Sequence, residues 1–384
     1  MLKILADENM PLLPELFSRY GELRVMPGRD INADVVADCD VLLVRSVTQV
    51  NRDLLAGSKV RFVGSATSGI DHVDTVYLQA EDITFAHAPG CNADAVVQYM
   101  LAVFCICAPA WRRQTVGIIG CGQVGGRLYR LLTGLGVSCR VYDPWLPGVT
   151  PDMTSLDEVL TADIVCLHTP LTRTGKYPTH HMIDAAALSA MTPGALLINA
   201  ARGEVVDNRA LSRHLSSDGN LKVVLDVWEG EPCIDLSLLE QLVLTSPHIA
   251  GYSVDGRRRG SEMVHRAFCS WRAQPDVQDS GFSSLPEASP KKLPEDAQVN
   301  LKISGGSFED YILATFDLVS ESRRMTSALS VIDAGDDSEV ARVFDGLRKT
   351  CPARREFSHY RVRGLRGEAL ARDLKVLGFN VGAF

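Results

Sequence analysis

The stretch TVGIIGCGQVGGRLYRLL, residues 115–132, decides the fold. A β-branched and aliphatic run, Val116–Ile119, passes directly into Gly120-x-Gly122-x-x-Gly125 and then into an amphipathic helical pattern. Gly120 allows the tight turn, Gly122 lets the backbone approach a pyrophosphate, and Gly125 lets the helix pack against the strand. The helix N-terminus adds free N–H groups and the positive end of its dipole. A second strand, SCRVYD, ends at Asp143, 18 positions after Gly125, near the spacing of a carboxylate that accepts hydrogen bonds from ribose hydroxyls. A carboxylate there repels a 2′-phosphate, and the following Pro144 and Trp145 supply no cation, so the pattern points to NAD rather than NADP. A further strand ends at HTP, which places Thr169 at the carboxyl edge of the sheet, where ligands of open α/β sheets bind.

Working outward, short runs rich in Val, Ile and Leu recur at 3–6, 41–44, 61–64, 115–120, 139–142, 164–167, 195–199 and 223–227, most of them separated by helical patterns. Continuous apolar strands alternating with helices predict βαβ units and parallel sheets covered on both faces. From Trp271 to Asn300 the texture changes to Pro, Ser and charge without periodicity, which reads as a linker over 273–299. Beyond it, strand-like 301–303, helical 308–318 and 338–349 and a strand-like tail predict a small α+β domain. Removing that domain is expected to leave the preceding core folded.

The chain has 384 residues, enough for two or three domains, with an ordinary globular composition of 46% hydrophobic and 22% charged residues. A net charge of −8 leaves no global basic field for nucleic acid. The longest apolar stretch, Tyr99 to Ala110, falls well short of the roughly twenty residues of a membrane span, and Asp7 and Glu8 stand where a signal peptide would be apolar. These features predict a cytoplasmic protein with no membrane partner. Ten scattered cysteines without a CxxC pair read as reduced, mostly buried thiols.

Three polar residues stand in separate strand-end or loop contexts: Arg202 in LLINAARGEVVD, Glu231 in VVLDVWEGEP and His248 in SPHIAGY, spaced by 29 and 17 residues. Oxidising an alcohol beside a carboxylate needs a cation for the acid, a base for the hydroxyl proton and a hydride acceptor. The planar fork of Arg202 suits the first task and an imidazole titrating near neutrality suits the second. Glu231, bonded to the other ring nitrogen, would fix the tautomer of His248.

The glycine loop, Asp143, AARG, LDVWEGEP and PHIAG together resemble the D-isomer-specific 2-hydroxyacid dehydrogenases. DENMP at 7–11, VRSVT at 44–48, ATSGIDHVD at 66–74, APGCNADAVVQY at 88–99 and, past the linker, FDLVSESRR, FDGLRK and RREF are similar to a branch of that family with a phosphorylated hydroxy-acid substrate and a C-terminal dimerisation domain. The resemblance implies two doubly wound parallel-sheet domains. A flavodoxin-like substrate domain would take 1–92 and 255–272, a Rossmann NAD domain 93–254, and a dimerisation domain 300–384, with the active site in the cleft between the first two. It assigns catalysis to Arg202, Glu231 and His248. Cofactor contacts fall to Gln123, Val124, Asp143, Thr169, Ala200, Asp226 and Gly251 beside the glycines, and substrate contacts to Ser46, Thr67 and Tyr252. The link CAPAWRRQ is several residues shorter than the family's, and the Pro/Ser linker is longer.

Other polar clusters read more plainly. His72 and the His180–His181 pair lack a convincing further ligand set, and hydride transfer to nicotinamide needs no metal. Arg257–Arg259 and Arg354–Arg355 are ordinary solvated clusters unless the substrate is phosphorylated, in which case Arg45 or Arg354–Arg355 are its expected cations. Two other readings stand beside the leading one: a dehydrogenase for another hydroxy acid such as 3-phosphoglycerate, and an NAD-responding corepressor that binds proteins.

Overall fold

A computed structural model describes residues 1–273 and 298–382, apart from 218, 302, 304, 305, 334 and 366. Residues 274–297, the body of the expected linker, lie outside the described residues. The chain divides into two compact units, Met1–Asn92 with Ser253–Ala297, and Ala93–Tyr252 with Gln298–Phe384.

The first unit is built on a five-stranded sheet of β1 (Leu2–Asp7), β2 (Gly21–Met26), β3 (Val41–Val44), β4 (Phe62–Ser65) and β5 (Thr84–His87). Its order is β2-β1-β3-β4-β5, and every pair is parallel. β3 and β4 are buried along their whole length, as strands covered on both faces must be. The helix Val254–Arg272 returns to cover one face, placing Val264, Phe268 and Trp271 in a core with Leu2, Ile4, Phe17, Val41 and Phe62. β2 and β5 escape the apolar-run reading because β2 alternates half-buried with exposed residues and β5 is half-buried throughout, the signature of sheet edges.

The second unit carries β6 (Val116–Ile119), β7 (Cys139–Tyr142), β8 (Ile164–Leu167), β9 (Leu196–Asn199), β10 (Lys222–Leu225) and β11 (Leu244–Thr245), in the order β11-β10-β9-β8-β6-β7. All pairs are parallel. The chain leaves β6 toward β7 on one side and returns to β8 on the other, so the carboxyl ends of β6 and β8 flank the switch point. The isolated bridge Val141–Met153 marks where one more strand would begin beyond β7.

Residues 298–382 pack into this second unit rather than standing apart. They form a small parallel sheet, β12 (Val299–Leu301), β13 (Tyr360–Val362) and β14 (Asn380–Val381), in that order. The helix Ala93–Cys107 is buried nearly all round because its second face meets Phe308, Tyr311, Ile312, Phe316 and Leu318 from the tail. The short link to β6 turns Trp111 fully inward, 5.6 Å from Phe104 between ring centroids, and Arg112 pairs with Asp373 at 2.6 Å while lying over Phe308. On the other face of the six-stranded sheet, Met325, Leu329, Val340, Phe344 and Leu347 join Val205, Leu225, Trp228 and Leu238. The helical pattern expected over 308–318 breaks after Leu313 and restarts at Leu318, where Asp317 accepts from the Ser320 N–H at 3.0 Å as an N-cap. Among the described residues no helix is long and apolar enough to cross a membrane.

This shared core argues against the expectation that the tail can be removed cleanly. A chain ending before residue 298 will aggregate or unfold well below the parent's Tm, measured by scanning calorimetry. Ile312→Ala, at a fully buried position, will cost about 2–5 kcal/mol in denaturant titration.

Candidate active site

The second unit gathers most of the expected residues along the carboxyl edge of its sheet. Gly120, at φ +91°, ends β6 so close to β8 that a Cβ would lie 2.8 Å from the His168 carbonyl, and a Cβ on Gly125 would lie 1.8 Å from the Gly120 carbonyl oxygen. Only glycine fits at either place. Above Gly122 no atom lies within 4 Å of a built Cβ, so the loop carrying Gln123 and Val124 is open on its outer side, and the helix Gly125–Gly134 begins without a side-chain cap. Asp143 follows β7 and turns its carboxylate back to the loop, accepting from the Cys121 N–H at 2.8 Å and the Trp145 N–H at 3.0 Å.

Beyond β8, Thr169 keeps a buried hydroxyl and His168 two buried ring nitrogens without hydrogen-bond partners. Burial lowers the His168 pKa to about 4, so its ring is neutral. Polar atoms orphaned in this way beside an open glycine turn fit a dinucleotide. His168 belongs with Thr169 here; the sequence placed it in HTP but offered no reason to separate it from a core histidine.

Ala200 and Arg202 follow β9. Asn199 braces this turn, its Oδ1 accepting from the Ala201 N–H at 3.1 Å and its Nδ2 donating to the Arg202 carbonyl at 2.8 Å. A Cβ on Gly203 would lie 1.9 Å from the Trp228 carbonyl oxygen, so glycine lets the Arg202 turn meet the loop that carries Glu231. The Arg202 Nη1 donates to the Ala201 carbonyl at 2.7 Å.

Asp226 follows β10, and its buried carboxylate accepts from the Ser246 hydroxyl at 2.6 Å and from the N–H groups of Ile249 and Ala250 at 2.7 and 2.9 Å. Burial raises its pKa; the nearby His248 and these hydrogen bonds act against that rise. Glu231 accepts from the Trp228 N–H at 2.7 Å through one oxygen and meets His248 Nδ1 at 2.8 Å through the other. Burial pushes the Glu231 carboxyl up, but His248 and the Trp228 N–H outweigh it, leaving the group below its ordinary value and anionic at neutral pH. A carboxylate partner requires Nδ1 to carry the hydrogen, which leaves Nε2 as an available base. His248 adopts φ +57°, a left-handed conformation that costs on the order of 1–2 kcal/mol and persists only when its surroundings enforce it. Gly251 and Tyr252 complete the same turn.

In the first unit, Ser46 follows β3 and is exposed, while Thr67 follows β4. The Thr67 hydroxyl bonds the Gly69 carbonyl at 2.8 Å and the Ser65 hydroxyl at 2.6 Å, and Ser65 in turn meets His72 at 2.9 Å. Arg45 donates to the Ala66 carbonyl at 3.4 Å, beside Thr67. Arg354 does not fit the expectation of a phosphate ligand, because it is buried against backbone carbonyls of the 249–252 turn. His180, His181 and Glu229 are close enough to share an ion, but the two imidazoles stack at 4.0 Å with planes 21° apart. Their in-plane lone pairs therefore do not converge, and the 2.7 Å bond from His181 to Glu229 accounts for the contact.

Residues 106–250 match the family described as D-isomer specific 2-hydroxyacid dehydrogenase, NAD binding domain. The chain is 45% identical over 383 residues to the erythronate-4-phosphate dehydrogenase of Teredinibacter turnerae, covering 99% of both, and 44% identical to that of Cellvibrio japonicus, covering 98% of this chain and 99% of the relative. The chain belongs to the erythronate-4-phosphate dehydrogenase family. Among solved structures, a D-lactate dehydrogenase from Aquifex aeolicus complexed with NAD and lactic acid superposes with a TM-score of 0.62 at 23% identity, covering 73% of this chain and 97% of that one. A 3-phosphoglycerate dehydrogenase from Entamoeba histolytica gives 0.61 at 21%, covering 75% and 99%. These likenesses show the shared fold. The full-length match to the erythronate-4-phosphate dehydrogenases extends through the tail, whereas the lactate enzyme leaves about a quarter of this chain without a counterpart.

Within this family assignment the cofactor is NAD, and the Asp143 carboxylate orders the glycine loop through the Cys121 N–H. NAD will be preferred over NADP in kcat/KM. Asp143→Ala will weaken NADH binding in fluorescence titrations and narrow that preference, because it removes both the acceptor and the repulsion of a 2′-phosphate; equal use of the two cofactors by the parent would refute the reading.

Proposed function

We propose that this chain oxidises 4-phospho-D-erythronate to (R)-3-hydroxy-2-oxo-4-phosphobutanoate with NAD, a step of pyridoxal 5′-phosphate synthesis, as a cytoplasmic homodimer joined through its tail. The observation that carries the chemistry is the 2.8 Å pairing of His248 Nδ1 with the half-buried Glu231 carboxylate. The near full-length similarity to relatives named for this substrate supports the choice of acid.

Bound NAD supplies the hydride acceptor, and the chain does the rest. Arg202 holds the substrate carboxylate through its guanidinium fork, so the C2 hydroxyl is oriented. His248 Nε2 takes the hydroxyl proton as the C2 hydride leaves, and the C2–O bond becomes a carbonyl. Glu231 stabilises the imidazolium that forms and holds its ring in place. Ser46, Thr67 and Tyr252 are assigned to the substrate, and Arg45 supplies the cation that a phosphate with close to two negative charges requires.

Four measurements test this. NADH will appear with 4-phosphoerythronate far faster than with unphosphorylated erythronate or 3-phosphoglycerate; a preference for another acid would replace the proposed substrate. Arg45→Ala will raise KM for the phosphorylated acid much more than for an unphosphorylated one, with NAD affinity unchanged. His248→Ala will lose on the order of 10²–10⁴-fold in kcat. Glu231→Gln removes the carboxylate that meets Nδ1 and will lower kcat with NAD affinity unchanged; a parent-like kcat would mean that the 2.8 Å contact has no part in the reaction.

A further inference from the structure

The turn 248–252 carries the acid/base histidine at one end and Tyr252 at the other. Its N–H side is tied to Asp226, whose backbone carbonyl accepts from the His248 N–H at 2.7 Å and whose carboxylate accepts from Ile249 and Ala250. Its carbonyl side faces Arg354, from a tail segment far away in sequence. Arg354 is 5% exposed. Its Nε donates to the Tyr252 carbonyl at 3.1 Å, and its Nη2 donates to the Ala250 carbonyl, with the Ile249 carbonyl at 3.5 Å. The guanidinium lies over Phe316, 4.2 Å from the ring centroid.

Burying a guanidinium against carbonyls is costly even with the carboxylates of Asp226 and Glu356 nearby, and a turn that merely needed packing could be filled by an apolar side chain. A rigid planar fork instead fixes several carbonyls relative to one another, which a flexible ammonium cannot do. The residue at the start of this turn is also the one in a left-handed conformation, the condition that demands restraint from more than one side. We propose that Arg354 is a positioning residue for the acid/base step: it holds the carbonyls of the 248–252 turn while Asp226 holds its N–H groups, and together they set the direction in which His248 presents Nε2. This rests on the reading of His248 as the acid/base.

The test uses the full chain with Arg354→Lys, which keeps the charge without the fork, and Arg354→Gln, which keeps a donor without the charge. Rates are normalised to NADH-binding sites counted by fluorescence, and the primary deuterium isotope effect is measured with C2-deuterated 4-phosphoerythronate. The His248 ring signal is followed by histidine-labelled NMR and assigned by its loss in His248→Gln. Expected are NADH stoichiometry near the parent's, a fall of on the order of 10–100-fold in kcat, a larger isotope effect, and a His248 signal that moves while that of His214 does not. Parent-like kcat, isotope effect and ring signal would overturn the proposal. So would a rate loss that only tracks lost NADH sites, or two variants that yield no NADH-binding protein, since either outcome assigns Arg354 to folding alone. The NMR arm needs no substrate, so a parent inactive on 4-phosphoerythronate would count against the substrate reading while leaving the position of His248 measurable.

Discussion

A single buried carboxyl group organises the carboxyl edge of the six-stranded sheet in the second unit. Asp226 leaves the end of β10 and collects the Ser246 hydroxyl and two N–H groups of the following turn. Ser246 hands the network on, its hydroxyl meeting Tyr99 at 2.8 Å and its carbonyl accepting from the Trp228 indole at 3.0 Å. One carboxyl group thus joins the buried helix Ala93–Cys107, the strand that launches the Glu231 loop, and the turn bearing His248. Each of these donors would be left unsatisfied without it, at about 1–3 kcal/mol apiece.

Close backbone approaches do the complementary work. Parallel strands end together at one edge, so the loops that follow β6, β8, β9 and β10 crowd the same region, and crowding on this scale leaves no room for side chains at the points of contact. Glycine at 120, 125 and 203 is the sequence-level expression of that crowding. At 120 and 125 it makes the tight turn between β6 and the helix Gly125–Gly134. At 203 it brings the arginine turn against the loop of the glutamate.

How much of this was legible in the sequence follows from the physics of each element. Strands buried on both faces announce themselves as unbroken apolar runs, so β3, β4, β6, β8, β9 and β10 could be read directly. β2 and β5 could not, being partly exposed, nor could the two-residue β11. Arg202, Glu231 and His248 drew notice because their chemistry is distinctive; of the three, the structure seats Glu231 against His248, while the Arg202 guanidinium bonds the Ala201 carbonyl. Arg354 was misread: a pair of arginines between Ala353 and Glu356 looks solvated or anion-seeking, and nothing local reveals that one guanidinium turns inward to carbonyls about a hundred residues earlier. Pairings at such separation leave no mark on periodicity or composition. The packing of the tail was hidden for the same reason, since an amphipathic helix shows that it has an apolar face but not which surface that face covers.

The order in which the two units are assembled along the chain bears on how it is made. The first unit needs the helix Val254–Arg272 from beyond the second, and the second needs residues 298–382 to close the core around Trp111. Neither can complete its burial while the ribosome is still adding the middle of the chain. Until then the emerging protein holds open parallel sheets with uncovered apolar faces. Each core is therefore closed only after its late segment has been made, so burial in the two units is completed near the end of synthesis.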